Sequence, residues 1–136
     1  MEAKSKVRVL LVDDDASVRL YIKTLLTSMG ADVVGEGSNG REGIELFDSL
    51  TPDFVFLDIN MPVMDGIAAL KAIRERSHQV GVVMLTSLGS LDVVQYCLDA
   101  GANNHLRKDL PVDQLRREIG ETLKWLEQVK SKGGSL

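Results

Sequence analysis

Five short apolar runs recur along the chain and are separated by stretches of mixed polarity. They occupy residues 7–12, 31–35, 54–57, 80–85 and 102–106. Most of these runs are continuous rather than alternating, which is typical of strands that are buried on both faces of a sheet. The pattern therefore predicts five interior strands.

Two of the intervening stretches show clear helical spacing. Their apolar residues, three or four positions apart, are Val18, Ile22, Leu25 and Met29 in the first stretch and Leu115, Ile119, Leu123 and Leu126 in the last. Each set lies on one face of a helix. Strand and helix alternate five times, which predicts an α/β domain with a parallel sheet, helices on both faces and right-handed crossovers. In such sheets, ligands bind at the carboxyl ends of the strands.

The composition fits one soluble domain. With 136 residues, 44% of them hydrophobic and 26% charged, the chain can build one core but is too short for a second domain of ordinary size. We predict a domain over residues 7–129, with flexible ends or a linker at 1–6 and 130–136. The net charge of −4, without a basic stripe, argues against direct binding to nucleic acid.

The chain carries no pattern that targets a membrane. Its first apolar run is too short for a signal sequence or a membrane span. The single cysteine, Cys97, excludes an internal disulfide and fits a reducing compartment. We therefore expect a cytoplasmic protein without membrane contact.

Acidic residues follow two of the predicted strands. Asp13, Asp14 and Asp15 come directly after the first strand, and Asp58 follows the third. Parallel pairing brings these carboxylates to one edge of the sheet. Mg²⁺ prefers oxygen ligands and commonly binds one or two carboxylates plus a phosphate, which makes Asp13 and Asp14 candidate metal ligands. Asp15 directly precedes the first helix, and we interpret it as the N-cap.

Two further strand ends carry a hydroxyl group and a cation, namely Thr86 and Lys108. Transfer of a phosphoryl group to a carboxylate spreads negative charge over the phosphoryl oxygens, and metal, ammonium and hydroxyl donors stabilise that charge. Asp58 is then the candidate nucleophile. Taken singly, each residue also suits an ordinary role: a turn for Asp58, a local backbone bond for Thr86 and a solvated charge for Lys108.

Together these residues resemble the receiver domain of two-component response regulators, in the chemotaxis-regulator-like superfamily, over nearly the whole chain. The resemblance rests on the acidic pair after the first strand, the segment PDFVFLDINMPVMDG at 52–66, Thr86–Ser87, Ala100–Gly101–Ala102 and Lys108. It implies the flavodoxin-like fold, a doubly wound, five-stranded parallel sheet of order 2-1-3-4-5 with five helices on both faces.

The resemblance also implies the chemistry of the site. Asp58 is the phosphoacceptor, and it binds Mg²⁺ or Mn²⁺ together with Asp14. The backbone carbonyl of Asn60 is a further ligand, and Asp13 contributes through water. The domain is thus expected to need a divalent cation for its phosphorylation.

Three residues acquire contact or switch roles from the same resemblance. Thr86 and Lys108 contact the phosphoryl oxygens, and Thr86 is also a switch residue that moves toward the phosphoryl group. His105 occupies the strand-five position that often holds a switch aromatic residue. The implied relay surface comprises helix four, strand five and helix five.

The implied function is a phosphorylation-switched signalling receiver, not an enzyme with an external substrate. Asp58 accepts a phosphoryl group from a sensor histidine kinase or a histidine phosphotransfer protein, and the domain catalyses its own phosphorylation and dephosphorylation. The signal passes to an output domain or a separate target protein, and homodimerisation on phosphorylation is a further option. The sequence names neither the kinase nor the output.

Two positions after the predicted strands four and five affect this expectation. Family members usually carry proline directly after the lysine, commonly in a cis peptide, whereas Asp109 follows Lys108 here. A cis bond without proline is costly, so we expect a trans linkage and a different approach of this loop. Leu88, two residues after Thr86, is expected to limit access of water to the phosphoryl group and to lengthen the phosphorylated lifetime.

Three other interpretations compete. A phosphohydrolase of the haloacid-dehalogenase type would use Asp13 as nucleophile, but it needs metal-binding acids beyond the lysine, where only acids of the last helix follow. A flavin-binding module needs a hydroxyl-rich or glycine-rich phosphate cradle, whereas the loop after the first strand is acidic. A non-phosphorylated interaction domain on the same fold is the third.

Overall fold

The computed structural model describes residues 6–87 and 91–131, and for residues 126, 127 and 129–131 it describes the backbone alone. Within these residues, strands and helices alternate strictly. The elements are β1 Arg8–Val12, α1 Ala16–Ser28, β2 Asp32–Gly37, α2 Gly40–Leu50, β3 Phe54–Asp58, α3 Gly66–Arg76, β4 Gly81–Thr86, α4 Leu91–Asp99, β5 Asn104–Arg107 and α5 Val112–Ser131. Leu88 and most of the predicted flexible ends lie outside the described residues.

The five strands form one sheet in the order β2-β1-β3-β4-β5, which confirms the predicted fold. All pairings between neighbouring strands are parallel. The strand order reverses at β1, because the chain runs first to β2 on one side and then crosses to β3 on the other. Val12 of β1 pairs with Leu57 of β3, so Asp13 and Asp58 come next at the same edge. This reversal is where doubly wound sheets bind their ligands.

Strand side chains alternate between two cores, one on each face of the sheet. Leu11 and Phe56 belong to the core that α1 and α5 cover. Their neighbours Leu10 and Val55 belong to the core that α2, α3 and α4 cover. Strands β3 and β4 are buried along their whole length, which explains why their apolar runs are continuous.

The two predicted helix stripes are confirmed as core faces, apart from Leu126, whose side chain lies outside the described residues. In α1, Ile22 and Leu25 are buried, and in α5, Leu115, Ile119 and Leu123 are buried. All five pack in the core on the same face of the sheet. Helices α1 and α5 therefore cover one face together.

Aspartate caps fix two of the helices that begin at the carboxyl edge of the sheet. Asp15 accepts hydrogen bonds from the backbone N–H groups of Ser17, at 2.8 Å, and Val18, at 3.3 Å, which confirms it as the N-cap of α1. Asp65 accepts one from Ala68 at 2.9 Å at the start of α3. These caps anchor the loops that follow β1 and β3.

In the part of the chain that the structure describes, no helix is long and apolar enough to cross a membrane.

Candidate functional site

Asp58 is the last residue of β3, the central strand of the sheet. Only 4% of its surface is exposed. On one side it pairs with Leu85 of β4. Carboxylates are rarely buried without partners, because the charged form loses its hydration. The neighbours of Asp58 therefore determine its charge and its chemistry.

Gly66 allows the first turn of α3 to lie directly against the backbone of Asp58. A Cβ atom at position 66 would collide with the carbonyl group of Asp58. The N–H group of Gly66 also donates to the carbonyl of Ile59 at 2.8 Å. Glycine is required here by close approach, which holds the β3–α3 loop against the end of the strand.

Asp13 and Asp14 lie beside Asp58. One carboxylate oxygen from each of the three residues lies within 4.8 Å of the other two. Asp13 and Asp58 are buried, whereas Asp14 is exposed. An all-oxygen set with one side open to solvent suits a hard divalent cation that keeps several waters, as Mg²⁺ does, and Mn²⁺ accepts the same ligands. The donor set therefore fits the predicted cation.

The ammonium group of Lys108 reaches into this acidic cluster. Its Nζ lies 2.9 Å from Asp13 Oδ2 and 3.2 Å from Asp58 Oδ1, and 17% of the lysine side chain is exposed. The backbone N–H of Lys108 donates to the carbonyl of Thr86 at 2.7 Å. The cation thus offsets part of the repulsion between the two buried carboxylates.

The pKa values of Asp58 and Lys108 are both raised, but for different reasons. Burial is the main cause for Asp58, and the charge of Asp13 adds to it, so that the pKa of Asp58 rises to about 6 despite Lys108. Burial alone would lower the pKa of Lys108, but its hydrogen bond to Asp13 and the charges of both carboxylates outweigh burial and raise it. Near neutral pH the ammonium is charged, whereas Asp58 is close to taking up a proton.

Arg19 of α1 is a contact that the sequence analysis missed. Its Nη1 donates to the backbone carbonyl of Asp13 at 2.6 Å. Its Nε lies 3.4 Å from Glu36 Oε1, and Lys23 shares this glutamate at 3.0 Å. The network holds the acidic loop after β1. The available signal was a cation near the start of the helix that follows three acids.

Thr86 ends β4, and its hydroxyl group points to β5. Oγ1 donates to the carbonyl of Leu106 at 3.4 Å, which is a long hydrogen bond. Among the hydrogen bonds within the described residues, none joins Thr86 to Asp58. His105 is half-buried on β5, where it pairs with Met84. The switch roles of Thr86 and His105 stay predictions.

Two other predicted features concern the loops around the cluster. Asn60 is exposed and lies two residues after Asp58, and the metal role of its carbonyl stays a prediction. The Lys108–Asp109 bond is trans, as predicted, because the described residues contain no cis peptide bond. The loop after β5 therefore reaches the site without the cis turn expected of the family.

A cavity of about 570 Å³ lies against α5, apart from the carboxylate cluster. Phe54, Asn104 and Trp125 are among its lining residues, and Asp58 is not. Trp125 is 40% exposed. The candidate site is thus an open cluster at the sheet edge, not this cavity.

The family model of the response regulator receiver domain matches residues 9–120. The chain belongs to this family. The match lies inside the predicted domain of 7–129 and includes Asp13, Asp14, Asp58, Thr86 and Lys108. The residues that carried the resemblance are therefore part of a receiver domain.

Known receiver proteins match this domain over most of its length. The chemotaxis protein CheY of Bacillus subtilis is 38% identical over 116 residues, which are 85% of this chain and 97% of that protein. The response regulator domain of Thermotoga maritima CheB is 31% identical, with a TM-score of 0.83 over 92% of this chain and 98% of that one. A chain of the CheX–CheY–BeF3–Mg²⁺ complex of Borrelia burgdorferi is 30% identical, with a TM-score of 0.79 over 85% and 87%.

Proposed function

We propose that this receiver domain is switched by phosphorylation of Asp58. The observation that carries the proposal is a buried carboxylate at the end of the central strand, with the Lys108 ammonium 3.2 Å from Oδ1. Two further carboxylates lie within 4.8 Å of it. This arrangement combines a nucleophile, a fixed cation and the ligands for a second cation, which are the parts that phosphoryl transfer requires.

In the proposed step, Asp58 receives the phosphoryl group of a phosphohistidine on a sensor histidine kinase or a histidine phosphotransfer protein. A carboxylate oxygen forms a bond to phosphorus as the phosphorus–nitrogen bond breaks. The electron pair of that bond returns to the imidazole nitrogen, which takes a proton from solvent. Attack by water on phosphorus later restores the carboxylate and releases inorganic phosphate.

The donors around Asp58 would stabilise the charge of the transferring group. Lys108 is already held beside the acceptor oxygen by its contacts with both carboxylates. Thr86 would exchange its long hydrogen bond to Leu106 for one to a phosphoryl oxygen, and the length of the existing bond makes that exchange inexpensive. Donors fixed before the reaction lower its barrier because they need no reorganisation.

Asp13, Asp14, Asp58 and the carbonyl of Asn60 would hold Mg²⁺ or Mn²⁺, which when bound supplies positive charge to the phosphoryl oxygens. The Borrelia structure, a complex that includes BeF3 and Mg²⁺, supports this assignment by its similarity to the chain.

The proposed output is a change on the surface of α4, β5 and α5. Movement of Thr86 toward the phosphoryl group would release the carbonyl of Leu106 and alter packing near His105. The surface carries exposed apolar side chains, among them Leu91, at 82% exposure, and Tyr96. An output domain, a separate target protein or a second phosphorylated copy could contact them. The domain thus acts as a signalling switch that catalyses its own modification.

Phosphorylation with acetyl phosphate, with and without Mg²⁺, tests the proposal. The mass of the protein should rise by one phosphoryl group only when Mg²⁺ is present, and peptide mapping should place the label on Asp58. Asp58→Asn should stay unlabelled. Asp53→Asn, a matched change just before the opposite end of β3, should be labelled like the wild type.

A label on another residue, or undiminished labelling of Asp58→Asn, would show that the acceptor has been misassigned. Size-exclusion chromatography of the same labelled samples decides whether phosphorylation brings two copies together.

A further inference from the structure

Arg107 and Asp109 flank Lys108 in sequence and bind each other on the outer side of the loop. Arg107 Nε donates to Asp109 Oδ1 at 3.0 Å, and Nη2 donates to Oδ2 at 2.6 Å. Both side chains are exposed. A guanidinium group bound to a carboxylate through two parallel hydrogen bonds has a planar, restricted geometry, unlike most surface ion pairs.

Lys108 points the opposite way from the two residues that flank it. Its ammonium lies between Asp13 and Asp58 inside the site. Its backbone N–H donates to Thr86 at 2.7 Å, and the N–H of Leu110 closes the following turn onto the carbonyl of Arg107 at 3.5 Å. The loop therefore directs the Lys108 ammonium into the site, while the Arg107–Asp109 ion pair links the residues on either side of Lys108 on its outer surface.

We propose that the Arg107–Asp109 ion pair is a positioning device for Lys108. The ion pair joins the residues on either side of Lys108 and so restricts the lysine backbone. It does this with a trans Lys108–Asp109 peptide, in the place where a proline ring would otherwise restrict the backbone. Arg107 and Asp109 are positioning residues, because neither contacts Asp58.

The ion pair has a second effect on the ammonium group. Asp109 is adjacent to Lys108 in sequence, and without Arg107 its carboxylate would compete for this cation. Because Arg107 occupies both oxygens of Asp109, the ammonium is left to Asp13 and Asp58. Removal of Arg107 alone should therefore harm the site more than removal of both partners.

A thermal unfolding cycle in EDTA tests the inference without any phosphorylation. The variants are Arg107→Gln, Lys108→Met and the double variant. Arg107→Gln should lower the Tm of the wild type, and the loss should shrink by about half or more in the Lys108→Met background, because coupled residues are not additive. Equal losses in the two backgrounds would overturn the inference, since the ion pair would then act without Lys108.

The rate of phosphorylation by acetyl phosphate at saturating Mg²⁺ provides the second test, and it rests on the proposed function. Arg107→Gln should lower the limiting rate by about threefold, a change within the range of one surface ion pair. Arg107→Gln/Asp109→Asn should be faster than Arg107→Gln, because the competing carboxylate is gone. If the double variant is phosphorylated as slowly as Arg107→Gln, or more slowly, Asp109 does not compete with Asp13 and Asp58 for Lys108.

A matched ion pair far from the site serves as the control. Arg76 Nε donates to both oxygens of Asp48, at 2.9 and 3.2 Å, and both side chains are exposed. Arg76→Gln should leave the limiting rate at the wild-type value. If Asp58 of the wild type takes no label while the unfolding cycle shows coupling, the proposed function fails and the positioning role stands. If labelling occurs but Arg107→Gln behaves like Arg76→Gln, the positioning role fails and the function stands.

Discussion

The charged form of Asp58 is costly to bury. Removal from water and the nearby charge of Asp13 destabilise its charged form, and Lys108 offsets only part of that cost. A carboxylate in this position binds protons, metal cations and other electrophilic groups more readily than one in water. The charged form of Asp58 therefore lowers stability in the metal-free state, and a bound cation would offset that cost.

The first prediction concerns the pH dependence of stability without metal. The pKa of Asp58 is raised from 3.8 to about 6 in the folded protein, so the folded state binds this proton more tightly than the unfolded chain. The contribution of Asp58 to stability is therefore fully present below pH 3.8 and is lost as the pH rises through about 6. At pH 7 in EDTA, Asp58→Asn should exceed the wild type by on the order of 2 kcal/mol in unfolding free energy.

Urea unfolding of both proteins between pH 5 and about pH 7.5 measures this difference. The difference in unfolding free energy should narrow as the pH falls, because the carboxyl group of the wild type then becomes neutral, like the amide of the variant. A constant difference across the range would mean that Asp58 does not titrate there in the metal-free protein.

At the scale of elements, one guanidinium group ties α3 to the α3–β4 loop and the α4–β5 loop. Arg74 donates to the carbonyls of Ser77, Val80 and Gly101 at 3.2, 2.7 and 2.9 Å, and to Asn103 Oδ1 at 2.9 Å. Burial lowers its pKa, although the group remains charged by its high intrinsic basicity. The C-terminal end of α4 is thus fixed through the α4–β5 loop.

Arg74→Met should lower the free energy of unfolding by about 2 to 3 kcal/mol, because it keeps the apolar stem but leaves several partly buried acceptors without a donor. Arg74→Lys should recover only part, since one ammonium group cannot reproduce the fork. Arg76→Met, on an exposed position of the same helix, should change stability by less than about 0.5 kcal/mol. Urea denaturation measures the unfolding free energies of all three variants. Similar losses for Arg74→Met and Arg76→Met would show that the hydrogen bonds of Arg74 do not stabilise the fold in this way.

The sequence predicted which elements exist better than where they end. Apolar runs mark burial, whereas strand pairing follows backbone hydrogen bonds, so β3 continues through Asp58 and β5 through Arg107, beyond the predicted runs. β5 begins at Asn104, later than the predicted run at 102, and the reason is local. The side-chain oxygen of Asn103 accepts a hydrogen bond from the N–H of Val82 at 2.8 Å, and the N–H of Asn103 donates to the carbonyl of Val82. Asn103 thus binds the backbone of β4 before regular strand pairing begins. No apolar pattern encodes such a contact.

The same holds for the candidate site: residues placed by the strand pattern were predictable, whereas contacts set by the path of a loop were not. The acids, Thr86 and Lys108 were predictable because parallel strands deliver their carboxyl ends to one edge. The support of Asp13 by Arg19 and the left-handed backbone of Val63, with φ at 69°, were not. Both depend on the path of a loop in three dimensions, and a β-branched residue gives no local signal for positive φ.

At the scale of the molecule, the cluster joins segments that are far apart in sequence. The contacts of Lys108 span 95 residues to Asp13 and 50 residues to Asp58. Each of these residues follows or ends a different strand of one sheet. A group that binds at this edge therefore stabilises the fold as a whole, and its binding free energy adds to the free energy of unfolding.

Mg²⁺ should therefore raise the Tm of the wild type, and at about ten times its Kd it should add about 1.4 kcal/mol to the unfolding free energy. Asp14 is the exposed member of the cluster, so Asp14→Asn should leave metal-free stability almost unchanged and remove most of the gain from Mg²⁺. Asp32→Asn, an exposed acid at the start of β2, should keep the full gain. Thermal unfolding in a Mg²⁺ titration measures these effects.

The pH dependence of the same titration separates specific binding from general screening by salt. If Mg²⁺ binds Asp58, protons compete with it, so the gain should shrink as the pH falls below about 6, where this carboxyl group becomes neutral in the metal-free protein. Screening of surface charge would act on the wild type and Asp14→Asn alike. Full stabilisation of Asp14→Asn by Mg²⁺ would exclude Asp14 as a ligand, and an effect of equal size with NaCl at matched ionic strength would exclude a specific site.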